Sequence, residues 1–493
     1  MRIKRIKIQN WTVLIICLIY TIVFYGIGYR VNYQPDIYTR VNAPHSYYTN
    51  LLKTDVGGRI VSDLIWWILR WGNFKFYYYL ALFLAIVIMT TACYRYGLFL
   101  IRKLNYENGN LKIVIIITIL SCITIENIFS AEYLIYADGM VDSTLGIFLS
   151  VEATMLFASF LNTGGKSKLC KAGALLLIVS FIYEIFPSVF LIMTLPFIML
   201  YSSSILCFLK NQLFAGALYL AGILPKTVYT TFIIDSSRAK FDQNSFSDSV
   251  VEYLPSGKTS SQFILSRITF GMWGYAIVCL FIGMSLLVVV VRRKQYLEVI
   301  KGIYISMVTV AVALIPFILR LSSDYKPRIY YPLGMLFGVL ITYGIMIKAF
   351  NLNSNMDTSV CTIVIAAYMV IQWFSFLQMY TDCYITNYED QYISRMIGEC
   401  IDNYEKESGD AIKYVTFYDD SERTKYCING WNLTKRAYSS WGSLSALNYW
   451  LKKDYLPGYV DKELTEYYIE QNWDVFSEDQ ITFKGDTAHI CMY

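Results

Sequence analysis

A chain of 493 residues that is 56% hydrophobic and only 16% charged, with a mean hydropathy of +0.43, is too apolar for a soluble globular protein. Its net charge of +5 conceals a split: positions 380–493 hold 20 acidic and 11 basic residues, a local −9, so the remainder carries +14. That division describes a polytopic membrane protein with an acidic globular tail, and no basic patch interleaved with aromatics points to nucleic acid.

The chain opens with MRIKRIKIQN, short and basic, ahead of an apolar run from Trp11 to Tyr29. The stretch YGIGYRVNYQ is a poor cleavage site, so the run is expected to stay as a first span, with Arg2, Lys4, Arg5 and Lys7 holding the N-terminus in the cytoplasm. The segment Arg30–Lys75 follows, carrying Asp36, Arg40, His45, Asp55, Arg59 and Asp63, groups that lipid does not tolerate. It closes with VSDLIWWILRWGNF, where Trp66, Trp67 and Trp71 suit a helix lying in the membrane interface. An outer loop with carboxylates, guanidinium groups and such a helix suggests a site for a lipid-linked substrate.

Further apolar runs of spanning length are expected at Phe76–Leu98, Leu111–Phe129, Leu145–Leu161, Ala172–Phe186, Ser188–Leu209 and Leu213–Ile234. Four more lie near Phe270–Val291, Gly302–Leu319, Tyr331–Ile347 and Cys361–Tyr380, about eleven in all. A single helix kinked at Pro187 would also fit and would invert everything downstream. Basic residues arbitrate: with eleven spans, Arg102 and Lys103, then Lys166, Lys168 and Lys171, then Arg292, Arg293 and Lys294 all face the cytoplasm, and the C-terminus lies outside. The expected outer segments are Arg30–Lys75, Ser130–Thr144, Asp235–Thr269 and SSDYKPRIYY.

Residues 1–380 therefore form the membrane domain and residues 381–493 a small α/β domain outside the cytoplasm. In the latter AIKYVTFYDD reads as a strand, AYSSWGSLSALNYWLKKDY and DKELTEYYIEQNW as helices, and ITFKGDTAHICMY as a hairpin. The eleven cysteines show no CxxC or other metal spacing, and His45 and His489 stand far apart, so neither a metal site nor a cofactor is implied. A Cys427–Cys491 disulfide is compatible with an outer tail, although sequence does not give connectivity. Glu126, Glu152, Glu184 and Lys226 fall inside or at the rim of apolar runs and should pair within the bundle, Glu184 with Lys226.

Two stretches resemble a known family. VNYQPDIYTRV followed by GGRIVSDLIWWIL is similar to the first outer loop of GtrII-type glucosyltransferases, with Asp36, Arg40, Gly58 and Arg59 at matching places. Ile37 stands where that family often has a second adjacent Asp, which argues against a metal-binding or paired-carboxylate role there. NIFSAEYLIYAD resembles an Asn-Pro-Phe-Phe-Ala-Glu stretch of related bacterial proteins through Asn127, Phe129, Ala131, Glu132 and Asp138, with Ile128 and Ala137 in place of prolines. The similarity extends to PRIYYPLG, NWDVF and GDTAHICMY.

The resemblance implies a GT-C-like glycosyltransferase of the bacterial cell membrane. Such an enzyme moves a sugar from a polyprenyl-phosphate carrier to a glycan acceptor at the outer face. Asp36 is then the candidate base, with Asp55 as substitute. Arg40, Arg59, Lys326 and Arg328 would hold the donor phosphate, and Glu132 and Asp138 would bind sugar hydroxyls. The chemistry fits these residue types, since the acceptor hydroxyl loses a proton and the departing phosphate needs cations.

Each residue also has a plainer reading. Asp36 is a solvated loop acid or pairs with Arg40; Asp55 is a turn residue before Gly57-Gly58; the arginines are interface anchors; Glu132 and Asp138 cap local structure. The alternative functions are a transporter or flippase of lipid-linked sugars, or a polysaccharide polymerase. The absent internal repeat weighs against transport.

Overall fold

The computed structural model describes residues 2–25, 30–41, 58–69, 74–106, 110–136, 139–233, 296–318, 328, 331–347, 352–418, 436–439, 441–471, 473 and 476–492. The chain divides into two compact units, Met1–Tyr29 with His45–Leu377, and Arg30–Pro44 with Gln378–Tyr493. The division falls close to position 380, but Arg30–Pro44, expected with the membrane domain, clusters with the tail.

The helices in chain order are α1 (Arg2–Tyr25), α2 (Pro35–Val41), α3 (Ile60–Leu69), α4 (Phe74–Lys103), α5 (Leu111–Ile125), α6 (Ile128–Ile135), α7 (Met140–Thr163), α8 (Lys166–Ser180), α9 (Phe186–Tyr201) and α10 (Ile205–Val228). After the π-turn Tyr229–Ile233 come α11 (Tyr296–Ile318), α12 (Tyr331–Gly334), α13 (Leu336–Met346) and α14 (Asn355–Ser408). Among the described residues four helices are long and apolar enough to cross a membrane: α4, α7, α10 with its π-turn, and α14. The bent pair α5–α6 makes a fifth, and α1, α9 and α12–α13 contain shorter apolar helices. The protein is thus a helical membrane protein of several spans; the run expected at Phe270–Val291 lies outside the described residues.

Alanine, leucine and phenylalanine at helical spacing build the first unit's core. Ala153 and Phe157 of α7, Ala172 and Leu176 of α8, Phe190 and Ile198 of α9, and Ala215 of α10 form one buried cluster. Small residues let neighbouring helices approach: a Cβ on Gly146 of α7 would collide with the Phe186 ring. The stretch around Pro187 is two helices. Proline sits in the first turn of α9, where its missing N–H costs nothing, and residues 181–185 turn the chain between α8 and α9.

Three expectations need correction. The run Leu111–Phe129 is not one straight helix: it breaks at Glu126 and Asn127 with a bend of 65°. Ser130–Thr144 is mostly helix rather than loop, because Asn127 and Ser130 form a capping box that starts α6, and α7 begins by Met140. The run Cys361–Tyr380 does not end at the tail boundary; α14 continues to Ser408.

The second unit contains a four-stranded sheet, β1 (Tyr414–Tyr418), β2 (Leu456–Pro457), β3 (Ile481–Lys484) and β4 (Thr487–Cys491), in the order β2-β1-β4-β3. β1 runs parallel to both neighbours, Val415 facing Ala488 and Thr416 facing His489, while β3 and β4 form the closing hairpin. Helices α15 (Ser443–Leu451) and α16 (Lys462–Glu470) match the expected tail helices, and Tyr418, Leu464, Tyr468 and Cys491 form a core beside Trp473. Cys491 is buried, and its expected partner Cys427 lies outside the described residues.

Candidate functional site

The candidate residues fall into two groups, one in each unit. Asp55, Asp138 and Lys326 lie outside the described residues.

In the first unit the site begins at Gly58, whose φ of 64° and close approach to Thr230 exclude a Cβ. That turn delivers Arg59 to the start of α3. Arg59 donates from Nη2 to Glu184 Oε1 at 3.0 Å, and Lys226 of α10 donates from Nζ to Glu184 Oε2 at 2.6 Å. The expected Glu184–Lys226 bridge is therefore present, with Arg59 as a third member. Glu184 sits in the turn between α8 and α9, its side chain 15% exposed. Two cations thus share its single carboxylate.

Tyr183 joins this triad to Arg328. The Arg59 guanidinium lies 4.3 Å from the centre of the Tyr183 ring, and the Arg328 guanidinium interacts with the Tyr183 hydroxyl. Arg328 also stands 5.7 Å from the Tyr136 ring centre. Helix α6 holds the Arg328 backbone from both ends: its N–H donates to Glu132 Oε2 at 3.0 Å, and its carbonyl accepts from the Tyr133 hydroxyl at 2.8 Å. Glu132 is fully buried in α6, which corrects its expected place in a solvated loop. It positions Arg328 rather than facing an open outer segment. Among the described residues the Arg328 guanidinium makes no ion pair within 4.0 Å; the Tyr136 ring, the Tyr183 hydroxyl and, at longer range, the Glu132 carboxylate act on its charge. Nearby on α3, Ser62 donates to Asp142 of α7, fastening the helix that follows Arg59.

In the second unit Pro35 and Asp36 open α2 and Arg40 ends it. Proline at the first position and a carboxylate in the first turn suit a helix N-terminus. Asn387 clasps the segment before α2 in both directions, accepting from Tyr33 N at 2.8 Å and donating to Tyr33 O at 2.7 Å. Trp450 Nε1 donates to the Tyr38 hydroxyl at 2.9 Å, and the Tyr33 and Tyr449 hydroxyls share a 2.6 Å bond. Asp36 Oδ1 accepts from Trp441 Nε1 at 3.1 Å, and Gly442 lies so close to Pro35 that a Cβ would collide. Asp36 is half-buried, while the Trp441 ring is 59% exposed.

Sequence reasoning missed Tyr183, Tyr133, Tyr136 and Trp441 as site residues. Among 43 tyrosines nothing marks those that border an arginine. For Tyr183 a signal existed, its place beside Glu184 in an otherwise apolar run. No protein-family model, curated protein or solved structure matches this chain.

Proposed function

We propose that this protein is a membrane glycosyltransferase that takes a sugar, glucosyl by its resemblance, from a polyprenyl-phosphate carrier and adds it to a cell-surface glycan or lipid-linked oligosaccharide. The observation that carries the reading is Arg328: a guanidinium beside the Tyr136 ring and the Tyr183 hydroxyl, with Glu132 acting on it at longer range and no ion pair within 4.0 Å among the described residues. Arginine in such surroundings suits a phosphate, which it can hold through two parallel bonds. Arg59 and Lys226 add positive charge on the other side of Tyr183, partly balanced by Glu184.

In the reaction the bond between the anomeric carbon and the phosphate oxygen breaks, its electron pair leaving with the phosphate. The acceptor oxygen bonds to the carbon and its proton goes to a carboxylate. Arg328 stabilises the charge that develops on the phosphate. Asp36 is proposed as the base on sequence grounds, and its Oδ1 accepts from Trp441. The same reading has α3 lying in the interface, eleven spans, a cytoplasmic N-terminus and the second unit outside the bacterial cell membrane.

One observation favours transport instead. The α5–α6 break places non-helical backbone and a buried carboxyl, Glu126, inside the bundle, as in the discontinuous helices of many transporters. Comparing the surface glycan of cells with and without the protein separates the two. Loss of one sugar branch on an otherwise complete glycan is the result expected of the transferase. Loss of the whole glycan supports flippase or polymerase and overturns the proposal.

A further inference from the structure

Glu126 stands in the two-residue break between α5 and α6 and is 1% exposed. Its Oε1 accepts from the Thr21 hydroxyl at 2.6 Å and from the Cys93 thiol at 3.4 Å. Among the described residues its buried Oε2 has no hydrogen-bond partner. The titratable groups facing it are Cys17 and Tyr20 of α1, Cys93 of α4, Cys122 of α5 and Tyr331 of α12. All are neutral as thiols or phenols. Among the described residues no lysine, arginine or histidine pairs with Glu126.

The break does not need this carboxyl for capping. Glu126 N donates to Cys122 O, the Tyr331 hydroxyl donates to Ile125 O at 2.8 Å, and Ile128 N donates to Gln372 Oε1 at 2.8 Å. Asn127 and Ser130 satisfy the next donors. Every one of these bonds would survive a glutamine or an alanine at position 126. A buried carboxylate with an empty oxygen and no cation is among the costliest groups a protein can hold. A carboxylic acid in the same place is not, because the proton cancels the charge.

We infer that Glu126 is a proton-binding site built into the helix break. It holds a proton on Oε2 at neutral pH and gives that proton to water, leaving a carboxylate, as the pH is made alkaline. The consequence reaches the cationic cluster, because α6 runs directly from the break and carries Glu132 and Tyr133, the two residues that hold the Arg328 backbone. The inference does not rest on the transferase reading; a proton site at this position belongs equally to a transporter.

Infrared titration of the purified full-length protein tests it, with Glu126→Gln and Thr21→Val as variants. The parent minus Glu126→Gln difference should contain one carboxylic-acid carbonyl band at neutral pH, replaced by carboxylate bands as the pH is made alkaline. Thr21→Val removes a donor that favours the ionised form, so the midpoint should move up by about one pH unit. A difference spectrum with only carboxylate bands at neutral pH overturns the inference. If Glu126→Gln does not fold, the parent and Thr21→Val titrations decide. A protonated band whose midpoint does not move would then belong to another carboxyl, and the inference would fall.

Discussion

The two units hold their buried charges by different means. In the first, Arg59 and Lys226 share Glu184, Arg328 is held by Glu132 and tyrosines, and Glu126 meets neutral donors. In the second, neutral donors carry much of the work beside two ion pairs: Asp36 takes the Trp441 indole, Asp390 takes the Ala437 N–H and His489 pairs with Tyr418, while Lys484 meets Asp461 and Arg436 meets Glu389. Neutral donors satisfy a group without setting up a net charge, so they suit a scaffold. A cation ringed by aromatic faces keeps its attraction for an anion that has yet to arrive. On the proposed function, that contrast assigns the phosphate to Arg328 in the first unit.

The largest expected effect comes from Arg328. Arg328→Ala should lower transfer from a polyprenyl-phosphate sugar by about 10²–10³-fold, and Arg328→Lys should retain part of the rate because it keeps charge without the planar fork. Equal activity of Ala, Lys and parent proteins would remove the phosphate role. Asp36→Asn comes next, with transfer expected to fall about a hundredfold and thermal stability to stay near the parent, since Asn can still accept from Trp441. If Asp36→Asn is fully active and Asp55→Asn is not, the base is Asp55.

Glu184→Gln should act on stability instead. It leaves Arg59 and Lys226 facing a neutral amide, and a loss of about 2 kcal/mol is expected, read as a lower unfolding temperature in detergent. Unchanged unfolding would show that the triad is not what holds α3, α10 and the α8–α9 turn together.

The smallest effect concerns His489 at the centre of the sheet. Asp461 N donates to the Tyr418 hydroxyl at 2.9 Å, and that hydroxyl shares a 2.9 Å bond with His489 Nδ1, which a neutral imidazole can accept. Burial lowers its pKa, with Asp461 opposing and Lys484 reinforcing the shift. The stability this contributes is full above the unfolded value of about 6.5 and is lost as the pH falls below it, because the unfolded chain takes up the proton first. His489→Asn, which keeps an acceptor for Tyr418, should flatten that acid limb. Identical pH profiles for parent and variant would contradict the assignment.

Much of this architecture was legible in the sequence because it follows from local pattern. Alternation and turn residues mark β1 and the β3–β4 hairpin, and an apolar run holding Glu184 announces a partner such as Lys226. What lay hidden depends on contacts far apart in the chain. Nothing in VNYQPDIYTRV signals that Tyr33, Pro35 and Asp36 dock on Asn387, Gly442 and Trp441, more than 350 positions away. The break at Glu126 was masked by the uniform hydropathy of its flanks; only the Asn127–Ser130 capping pattern betrays it. The arginine-bordering tyrosines are identical in type to the many that only pack.

The central claim is that a sugar leaves its phosphate carrier on this protein, and one measurement addresses it directly. Purified protein in lipid vesicles is given a radiolabelled polyprenyl-phosphate sugar and a glycan acceptor, and the label is followed. The account predicts label on the acceptor, release of unglycosylated polyprenyl phosphate in equal amount, and loss of both in Arg328→Ala. Label that crosses the vesicle bilayer with the sugar–phosphate bond intact would contradict it.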